Sequence, residues 1–457
     1  MILKHIPKKN LLLLSGDVIL IVLSMACALY IRTGATINIL SYLTGASTFT
    51  VMVFLPTFYI FDLYKPDCRF KALNYLSRLM LAAAVGGIVL GMVFYILPTW
   101  QFGRGTFIFS VLLIAVFTYS WRMFFESCIS TAGIKKNVII IGAGGAGQTM
   151  YDLINGNSDY RIIGFLDDDP ELRGVCVVQH RILGDCSRLI DMANRKEIDV
   201  AVIAVTHGKK PELYRNALAI KMKGIEVYDV PSLYEKIAEK VPINCIKDSW
   251  FVYVPLLGVG NSLYTQKLER FMDIAISGFG LIFSLPINLI TAILIKLESK
   301  GPIFYTQERI GQEGKHFKLV KFRSMKIGAE LNGATWAEEN DTRVTRVGKI
   351  IRKLRIDEIP QMWNVLKGDI SFIGPRPERP EFLKSLEKDI PYYSLRHSVK
   401  PGITGWAQIN YGYGASKDGA FEKLQYDFFY IKNKSLLLDL IILLRTVRVV
   451  LFGSGAR

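Results

Sequence analysis

The sequence predicts a membrane protein in three parts: a bundle of four transmembrane helices, a Rossmann-like α/β domain, and a mainly α-helical monotopic domain that enters the membrane from one side. Three observations predict this fold class. Four apolar runs precede residue 126, a strand with a glycine-rich turn follows them, and a fifth apolar run is interrupted by a proline. We expect the three parts at residues 1–130, 137–255 and 262–457, where the pattern of the sequence changes.

The composition agrees with a membrane location and with anionic partners. Of the 457 residues, 51% are hydrophobic, the mean hydropathy is +0.28, and the formal net charge is +16. A basic chain attracts nucleic acid, anionic lipid or phosphorylated substrates. Lipid and phosphate are favoured and nucleic acid is not, because the chain lacks the basic and aromatic repeats of base-stacking modules. The six cysteines form no CxxC pair, which excludes the usual zinc and disulfide patterns and fits a reducing cytosol.

The four N-terminal apolar runs each have about the 20 residues that a helix needs to cross a bilayer. They cover residues 11–31, 44–64, 76–97 and 106–125. The basic residues before the first run, between the second and third, and around the end of the fourth are Lys4, Lys8, Lys9, Lys65, Arg69, Lys71, Arg78, Arg122, Lys135 and Lys136. By the positive-inside rule, the N-terminus, the central loop and everything after the fourth run are cytoplasmic. The first run is too long for a cleaved signal peptide and is predicted to be an anchor.

Asp17 lies inside the first apolar run, and two interpretations of it stay open. A carboxylate within a membrane span is a functional hypothesis by default, because its burial in lipid is costly. Asp17 is also close to the cytoplasmic end of the run, from which its side chain can reach the water interface. We favour this simpler interpretation.

A nucleotide-type fold is predicted after the spans. The segment NVIIIGAGGAGQTMYDLI reads as a strand, a turn with Gly142, Gly144 and Gly147, and a helix, and Asp167 ends the next apolar run. This is the dinucleotide-binding fingerprint in its expected context. No tyrosine between residues 136 and 255 has a lysine four positions later, the pair that a short-chain sugar dehydrogenase or epimerase would use. A bound nucleotide and a regulatory or structural role both stay open, whereas redox catalysis is disfavoured.

The fifth apolar run, residues 274–297, is predicted to enter the membrane and turn back. Basic residues flank both of its ends, whereas a crossing helix has an excess on one side only. These residues are Lys267, Arg270, Lys296 and Lys300. Pro286 removes a helix hydrogen bond and bends the axis. The alternative, a kinked fifth span, would put the basic C-terminal third outside the cell. The last helix, SLLLDLIILLRTVRVVLF, is predicted to lie in the headgroup plane.

Two adjacent carboxylates, Asp357 and Glu358, lie in a strongly basic stretch that reads IIRKLRIDEIPQMWNVLKGDISFIGPRPERP. One interpretation is an acid at the start of an apolar helix near Pro360, which explains one carboxylate but not the arginines. The other is phosphoryl transfer. Adjacent carboxylates suit Mg²⁺, the arginine fork suits phosphate oxygens, and a carboxylate held ionised can attack phosphorus. We favour the second, with a lipid as the acceptor because the site is predicted at the membrane surface.

The chain from about residue 264 to 457 resembles the bacterial sugar transferases, the polyprenyl-phosphate sugar-1-phosphate transferases that begin exopolysaccharide and O-antigen synthesis. The segments that carry the resemblance are GPIFYTQERIGQEGKHFKLVKFRSM, DTRVTRVGKIIRKLRIDEIPQMWNVLKGDISFIGPRP and KPGITGWAQINYGYG. The four spans with the α/β domain resemble the large membrane forms of this family. The ending LFGSGAR resembles a branch linked to exosortase-type exopolysaccharide clusters.

The resemblance implies that a UDP-sugar donates its sugar-1-phosphate to undecaprenyl phosphate and that UMP is released. Asp357 matches the family's nucleophile, which forms a covalent phosphosugar intermediate. Glu358, its partner, would hold Mg²⁺ together with Asp357 or handle protons. The residues that match phosphate- or nucleotide-binding positions are Arg352, Arg376, Arg309, Lys321 and Arg323. Ser284 and Pro286 fall where the family bends its re-entrant helix.

The sequence departs from the family pattern at one position. The family often has Lys-Arg and then Asp at the start of the re-entrant helix; here Glu269 replaces the lysine, while Arg270 and Asp273 remain. This departure concerns the contact with the lipid headgroup and not the reaction. His316 and His397 are assigned no role. Three aromatic residues could line a sugar or nucleotide pocket or lie at the membrane interface: Trp406, Tyr411 and Tyr413.

Three functions compete. The leading one is a phosphoglycosyl transferase of the bacterial inner membrane, multi-pass, with its catalytic domain on the cytoplasmic face and glucose or galactose as the sugar. The others are a membrane-anchored NAD-dependent nucleotide-sugar dehydratase or epimerase acting at residues 142–167, and a non-catalytic scaffold of polysaccharide assembly. The expected partners are the UDP-sugar, undecaprenyl phosphate, the bilayer and other assembly proteins, with a homodimer as an open alternative.

Overall fold

The computed structural model describes residues 8–34, 39–64, 73–96, 103–129, 135–172, 174–178, 180–205, 211–246, 248–260, 263–329, 341–412 and 416–452. The chain divides into two compact units, residues 1–133 and 134–457. Several residues named above lie outside the described part: Lys4, Lys65, Arg69, Lys71, Tyr413 and the ending 453–457.

The described part of the first unit consists of four helices. They are α1 (Lys8–Thr33), α2 (Ile39–Ile60), α3 (Leu73–Ile96) and α4 (Arg104–Ile129). Helix α1 contacts α2 and α4, and α3 contacts α2 and α4. Buried apolar side chains from all four form one core that includes Ile21, Phe54, Leu79 and Ile114. The helices therefore pack through apolar faces while other apolar side chains stay exposed, as expected of helices surrounded by lipid.

Among the described residues, three of these helices are long and apolar enough to cross a membrane: α1, α3 and α4. The apolar part of α2 that could be assessed, Gly45–Ile60, is shorter. The prediction of several apolar helices near the N-terminus is confirmed at the level of three to four helices.

Asp17 forms a buried ion pair inside this unit. Its Oδ2 atom lies 2.6 Å from Nη2 of Arg122 on α4, and both side chains are 0% exposed. The hydroxyl of Tyr64 donates to the same oxygen at 2.7 Å, and Arg122 Nε donates to the hydroxyl of Tyr75 at 3.0 Å. The favoured expectation that Asp17 reaches the water interface is therefore not what the structure shows. The carboxylate joins α1 to α4 because a buried charge needs a partner.

The middle segment, defined here as residues 137–255, contains one sheet and the helices that cover it. Its described strands, with the start of β1 just before the segment, are β1 (Lys136–Ile141), β2 (Tyr160–Leu166), β3 (Cys176–Val177), β4 (His180–Gly184), β5 (Val200–Ile203) and β6 (Glu226–Asp229). Its described helices are α5 (Gly145–Asn155), α6 (Arg188–Asn194), α7 (Pro211–Met222), α8 (Val230–Ala238) and α9 (Asp248–Tyr253). The strand order is β3-β4-β2-β1-β5-β6, and β3 alone of these strands runs antiparallel to its neighbour.

Strand β1 shows why this segment reads as an apolar run. Successive residues of a strand point to opposite faces, so Val138 and Ile140 pack into one core while Ile139 and Ile141 pack into the other. A parallel sheet covered on both faces needs apolar residues at both sets of positions. The predicted strand, glycine turn and helix of a parallel α/β fold are confirmed.

The described C-terminal part combines helices with two small sheets. Its helices are α10 (Leu263–Phe283), α11 (Leu285–Glu298), α12 (Arg346–Lys353), α13 (Gln361–Lys367), α14 (Pro380–Asp389), α15 (Trp406–Asn410), α16 (Lys417–Asn433) and α17 (Leu436–Phe452). Its strands are β7 (Phe304–Ile310), β8 (His316–Phe322), β9 (Ser371–Ile373) and β10 (Gly402–Thr404). Strands β7 and β8 form an antiparallel hairpin, and β9 pairs in parallel with β10.

Helices α10 and α11 are bent by 60° at their junction, and together they have the composition of a broken span or a re-entrant loop. Ser284 lies at the junction, and Pro286 falls in the first turn of α11, where a missing N–H costs little. Exposed apolar side chains continue across the bend: Phe279, Ile282, Phe283, Leu285, Ile290 and Ile293. The sequence therefore located the bend correctly.

The buried ion pair in the first unit leads to a stability prediction. Replacing Asp17 by Ala leaves the guanidinium of Arg122 buried without its carboxylate, which typically costs about 3–5 kcal/mol. We expect a clear loss of thermal stability in detergent micelles, measured as the unfolding midpoint of the full chain. Ser15→Ala, which removes an exposed hydroxyl of the same helix, serves as the control. Equal midpoints for the two variants would contradict the importance of the pair.

Candidate active site

Asp357 and Glu358 lie in a sharp turn between two helices. Helix α12 is capped at its N-terminus by Thr345, whose hydroxyl accepts from the Gly348 N–H at 2.9 Å. Arg355 then has a positive φ of 58°, which reverses the chain into a single 3₁₀ turn, Ile356–Glu358. Helix α13 follows only from Gln361. The two carboxylates therefore precede the helix in a turn of their own and do not cap it.

Three cations of the described chain surround the Glu358 side chain, which is 12% exposed. Its Oε1 atom lies 3.0 Å from Arg376 Nη2 and 3.5 Å from Lys321 Nζ. Its Oε2 atom lies 3.7 Å from Arg355 Nη1. The turn, the β-hairpin and the loop that contains Pro375 and Pro377 thus meet at one carboxylate.

The surroundings shift the pKa values of the two acids in opposite directions. Burial opposes the ionisation of Glu358, but the charges of Arg376, Lys321 and Arg355 outweigh it and hold the pKa of Glu358 well below its usual range. Burial, and then the charge of Glu358, raise the pKa of Asp357 above its usual value, although Lys321 and Arg352 oppose the rise. Asp357 is thereby the more basic carboxylate of the pair, and therefore the better nucleophile when ionised.

Lys321 is held in place by the helix that follows the acidic pair. On β8, the backbone N–H of Val320 donates to Asn364 Oδ1 at 3.0 Å, and Asn364 Nδ2 donates to the Lys318 carbonyl at 2.8 Å. This buried asparagine fastens α13 to the strand next to Lys321. Burial lowers the pKa of Lys321 to about 8, while Glu358 opposes that change.

The backbone of Arg376 is held by a buried ionic cluster that the sequence interpretation missed. Arg396 Nη2 donates to the carbonyl of Arg376 at 3.1 Å, and the same nitrogen lies 2.8 Å from Asp427 Oδ2. Arg396 Nη1 pairs with Glu378 at 3.1 Å. The available signal was Asp427 itself, a single carboxylate within the aromatic stretch YDFFY of α16.

Two further predicted residues lie near the same charges. Arg309 donates from Nη1 to the Pro377 carbonyl at 2.9 Å, and burial, followed by repulsion from Arg376, lowers its pKa to about 10. Arg352 is close enough to act on the charge of Asp357. The structure therefore brings together Arg309, Lys321, Arg352 and Arg376 with the acidic pair.

Arg323 makes its hydrogen bonds at the end of helix α11. Its Nη1 donates to the Lys300 carbonyl at 3.0 Å, and its Nη2 donates to the carbonyl and hydroxyl of Ser299 at 3.0 and 2.9 Å. These acceptors end α11, so the structure uses Arg323 to close that helix and connect it to the hairpin. The phosphate-binding role predicted for Arg323 has no support from these contacts.

The start of the bent helix pair is fastened to the same region. Arg270 donates to the carbonyls of Val365 and Leu366 at the end of α13, at 2.5 and 2.6 Å. Asp273 accepts from the Phe372 N–H at 2.8 Å. Glu269, the departure from the family pattern, pairs with Lys434 at 2.8 Å, so in this chain position 269 makes an internal contact.

Trp406 and His397, to which the sequence assigned no definite role, lie in fully or partly buried surroundings. Trp406 is buried, stacks on Phe429, and donates from Nε1 to the Glu239 carbonyl at 2.9 Å. Burial, and then the charge of Arg396, lower the pKa of His397 to about 4. Trp406 is therefore a contact with the middle segment.

The glycine turn of the middle segment has the backbone geometry for which the dinucleotide-binding fingerprint needs glycine. Gly142 has a φ of 105°, and a Cβ atom on Gly147 would lie 2.1 Å from the Gly142 carbonyl oxygen, so both positions require glycine. Nothing lies within 4 Å of the Cβ position of Gly144. Asp167 accepts from the Ala143 N–H at 2.8 Å and from the Asp169 N–H at 3.0 Å. In this structure Asp167 thus stabilises the turn itself.

The chain was compared with known proteins. The family description "Bacterial sugar transferase" matches residues 264–453, and "PglD N-terminal domain" matches residues 137–210. The UDP-N-acetylgalactosamine-undecaprenyl-phosphate N-acetylgalactosaminephosphotransferase of Aeromonas hydrophila is 45% identical over 233 residues, which cover 51% of this chain and 54% of that protein. The chain thus spans about half the length of this relative.

Two further relatives match over longer stretches. The undecaprenyl-phosphate glucose phosphotransferase of Komagataeibacter xylinus is 30% identical over 399 residues, or 83% of this chain and 72% of that protein. The UDP-glucose:undecaprenyl-phosphate glucose-1-phosphate transferase of Escherichia coli (strain K12) is 32% identical over 327 residues, or 68% of this chain and 67% of that protein.

The position of Lys321 predicts a pH-dependent affinity for anions. Sulfate keeps its charge through the range, so its binding reports on the protein alone. Because Lys321 is mostly protonated below its pKa of about 8, we expect sulfate affinity to be constant well below that pH, to begin falling near it, and to be about tenfold lower by pH 9.5. Calorimetric titration of the full chain in micelles measures this. Lys321→Arg should bind without the fall, and a wild-type affinity that does not change between pH 7 and 9.5 would contradict the assignment.

Proposed function

Because the chain belongs to the bacterial sugar transferase family, we propose that it transfers a sugar-1-phosphate from a UDP-sugar to undecaprenyl phosphate and releases UMP. The observation that carries this proposal is the buried carboxylate pair within a shell of cations. Such a shell suits a diphosphate, whose negative charge it balances. The names of the relatives support the same reaction.

The reaction has two displacements at one phosphorus atom. A carboxylate oxygen of Asp357 attacks the phosphorus that bears the sugar, and the bond from that phosphorus to the bridging oxygen breaks, so UMP leaves with the electron pair. A phosphate oxygen of undecaprenyl phosphate then attacks the same phosphorus. The bond to Asp357 breaks, and the carboxylate is restored.

The surrounding cations have separate tasks in this scheme. Arg376 and Lys321 already hold Glu358 in place, and their positive charge would balance the charge that a diphosphate brings. Arg309 acts on the charge of Lys321 and Arg352 on that of Asp357, and their added positive charge would stabilise the phosphate oxygens as the bonds change. Glu358 keeps these cations oriented when no substrate is bound.

The proposed cofactor is magnesium, as an ion shared with the substrate. Among the described residues no group of three or more His, Cys, Asp or Glu side chains is placed to hold a metal. Mg²⁺ is commonly held by one or two carboxylates together with substrate phosphates and water. Asp357 and Glu358 would be its protein ligands, and it would neutralise the charge of the diphosphate.

For the sugar, we propose N-acetylgalactosamine as the first candidate. The Aeromonas relative, which shares 45% identity, is named for that sugar, whereas the longer matches at 30% and 32% identity are named for glucose. The sequence interpretation favoured glucose or galactose, and both belong in the same assay as competing donors.

The proposed location is the bacterial inner membrane. Helices α1–α4 would all cross the bilayer, and α10 with α11 would enter it and return, with the bend at Ser284 and Pro286. The catalytic domain, residues 262–457, and the Rossmann-like domain, residues 137–255, would then lie on the cytoplasmic face, where the UDP-sugar is found. Other polysaccharide assembly proteins and a second copy of the chain are the proposed protein partners.

The two alternative functions receive less support. A dehydratase or epimerase would use the middle segment, but the relatives reported above are named as phosphotransferases. A non-catalytic scaffold would need no cation shell around a buried acid. A nucleotide in the turn of Gly142, Gly144 and Gly147 remains part of the proposal only as a regulatory ligand.

A radiochemical assay tests the proposed function. Membranes with the full chain are incubated with labelled UDP-N-acetylgalactosamine, UDP-glucose or UDP-galactose and undecaprenyl phosphate, and labelled lipid and UMP are measured. We expect Asp357→Asn to lower turnover by at least about a thousandfold, because an amide is a poor nucleophile. Gly144→Ala, in the middle segment, should keep turnover within about twofold, since its Cβ position is open. Turnover at the wild-type rate in Asp357→Asn would contradict this function, and no labelled lipid or UMP with any donor would favour the redox or the scaffold alternative.

A further inference from the structure

Helix α16 has contacts of two kinds on two of its faces. Glu422, Gln425, Phe429 and Lys432 are spaced three or four residues apart and therefore share one face. This face meets the middle segment directly through three of them and through Trp406 at Phe429. Asp427 lies on a different face and pairs with Arg396. One rigid helix thus connects the middle segment with the support of Arg376.

The contacts with the middle segment are charged, and they are fully or partly buried. Glu235 of α8 is 4% exposed and lies 2.5 Å from Lys432 Nζ and 2.8 Å from Asn433 Nδ2. Lys240 pairs with Glu422. Ion pairs partly removed from water in this way are costly to break on one side only, because the remaining charge loses its partner and stays partly buried.

Backbone groups reinforce the same junction. The N–H of Val241 donates to the Gln425 carbonyl at 3.0 Å. The carbonyl of Glu239 accepts from Trp406 Nε1 at 2.9 Å, and its carboxylate lies 3.8 Å from Arg445 on α17. The middle segment therefore contacts α15, α16 and α17.

From the other face of α16, a short series of contacts leads to the acidic pair. Asp427 holds Arg396 at 2.8 Å, Arg396 holds the carbonyl of Arg376 at 3.1 Å, and the Arg376 guanidinium holds Glu358 at 3.0 Å. Asp427 is 1% exposed and Arg396 is 3% exposed, so neither can move without disturbing its neighbours.

We propose that the middle segment is a brace for the active site: Glu235 and Lys240 are positioning residues that fix α16 and, through Arg396, set the position of Arg376. This inference rests on the proposed function and extends it to the role of the middle segment. Neither residue touches the substrate. Weakening the brace leaves the nucleophile intact and misplaces one phosphate-binding arginine, so the affinity for the diphosphate falls more than the turnover at saturation.

A charge exchange tests the brace in the full-length protein. Lys240→Glu and Glu422→Lys are made singly and together, and the dissociation constant for UDP is measured by calorimetry beside the KM and kcat for the UDP-sugar. Each single variant should weaken UDP binding and raise KM by about tenfold, a typical coupling for contacting charges. The double variant should return both values to within about threefold of wild type, because the pair is restored with its signs exchanged.

Two further variants complete the experiment, one as a control and one as a second test. Arg195→Glu reverses a charge on an exposed part of the middle segment and should change nothing. Glu235→Gln keeps the shape of a buried contact and removes its charge, so it should also weaken UDP binding. This variant tests the brace if either single charge reversal fails to fold.

Each outcome has a clear meaning. Single variants with wild-type UDP affinity, or a double variant that binds no better than the single variants, would overturn the brace. UDP binding by the wild type without turnover of any UDP-sugar would instead count against the proposed function, and the comparison of UDP affinities would still decide whether the brace exists.

Discussion

The charge of Glu358, enclosed by three cations among the described residues, is the interaction on which the C-terminal structure depends. Lys321, Arg355 and Arg376 come from a β-hairpin, a left-handed turn and a proline-flanked loop. A buried carboxylate without these partners would cost several kcal/mol, and the cations without the carboxylate would repel one another. The hairpin, the turn and the loop must therefore meet at this point, and their meeting leaves Asp357 beside a preformed cluster of positive charge.

The supporting contacts follow from this constraint. Asn364 fastens the helix after the acidic pair to the strand of Lys321, and Arg396 holds the backbone of Arg376. Arg323 and Arg270 connect the same region to the bent apolar helices. The charges that would bind a diphosphate are thereby fixed to the elements that would contact the membrane. A lipid acceptor and a soluble donor need such a shared site, because their reacting atoms must reach the same phosphorus.

Much of this arrangement could be predicted from local sequence, and part of it could not. Apolar runs and the glycine turn predicted helices and a parallel sheet, because burial on both faces of β1 leaves an unbroken apolar pattern. The acidic pair was found because its basic neighbours are close in sequence. The pair of Asp17 with Arg122 joins residues 105 positions apart, and Trp406 meets a carbonyl 167 positions away. Such partners are set by tertiary packing, as is the use of Arg323 at the end of α11, so residue type alone could not predict them.

In the proposed reaction, Asp357, the less acidic carboxylate of the pair, captures the sugar phosphate before the lipid arrives. Rapid-quench mass spectrometry of the enzyme mixed with UDP-N-acetylgalactosamine, without undecaprenyl phosphate, tests it most directly. If Asp357 is the nucleophile, one UMP is released per active site, and a peptide is found in which Asp357 carries the hexosyl phosphate. UMP that forms only when the lipid is present, with an unmodified residue 357 at every time point, would contradict it.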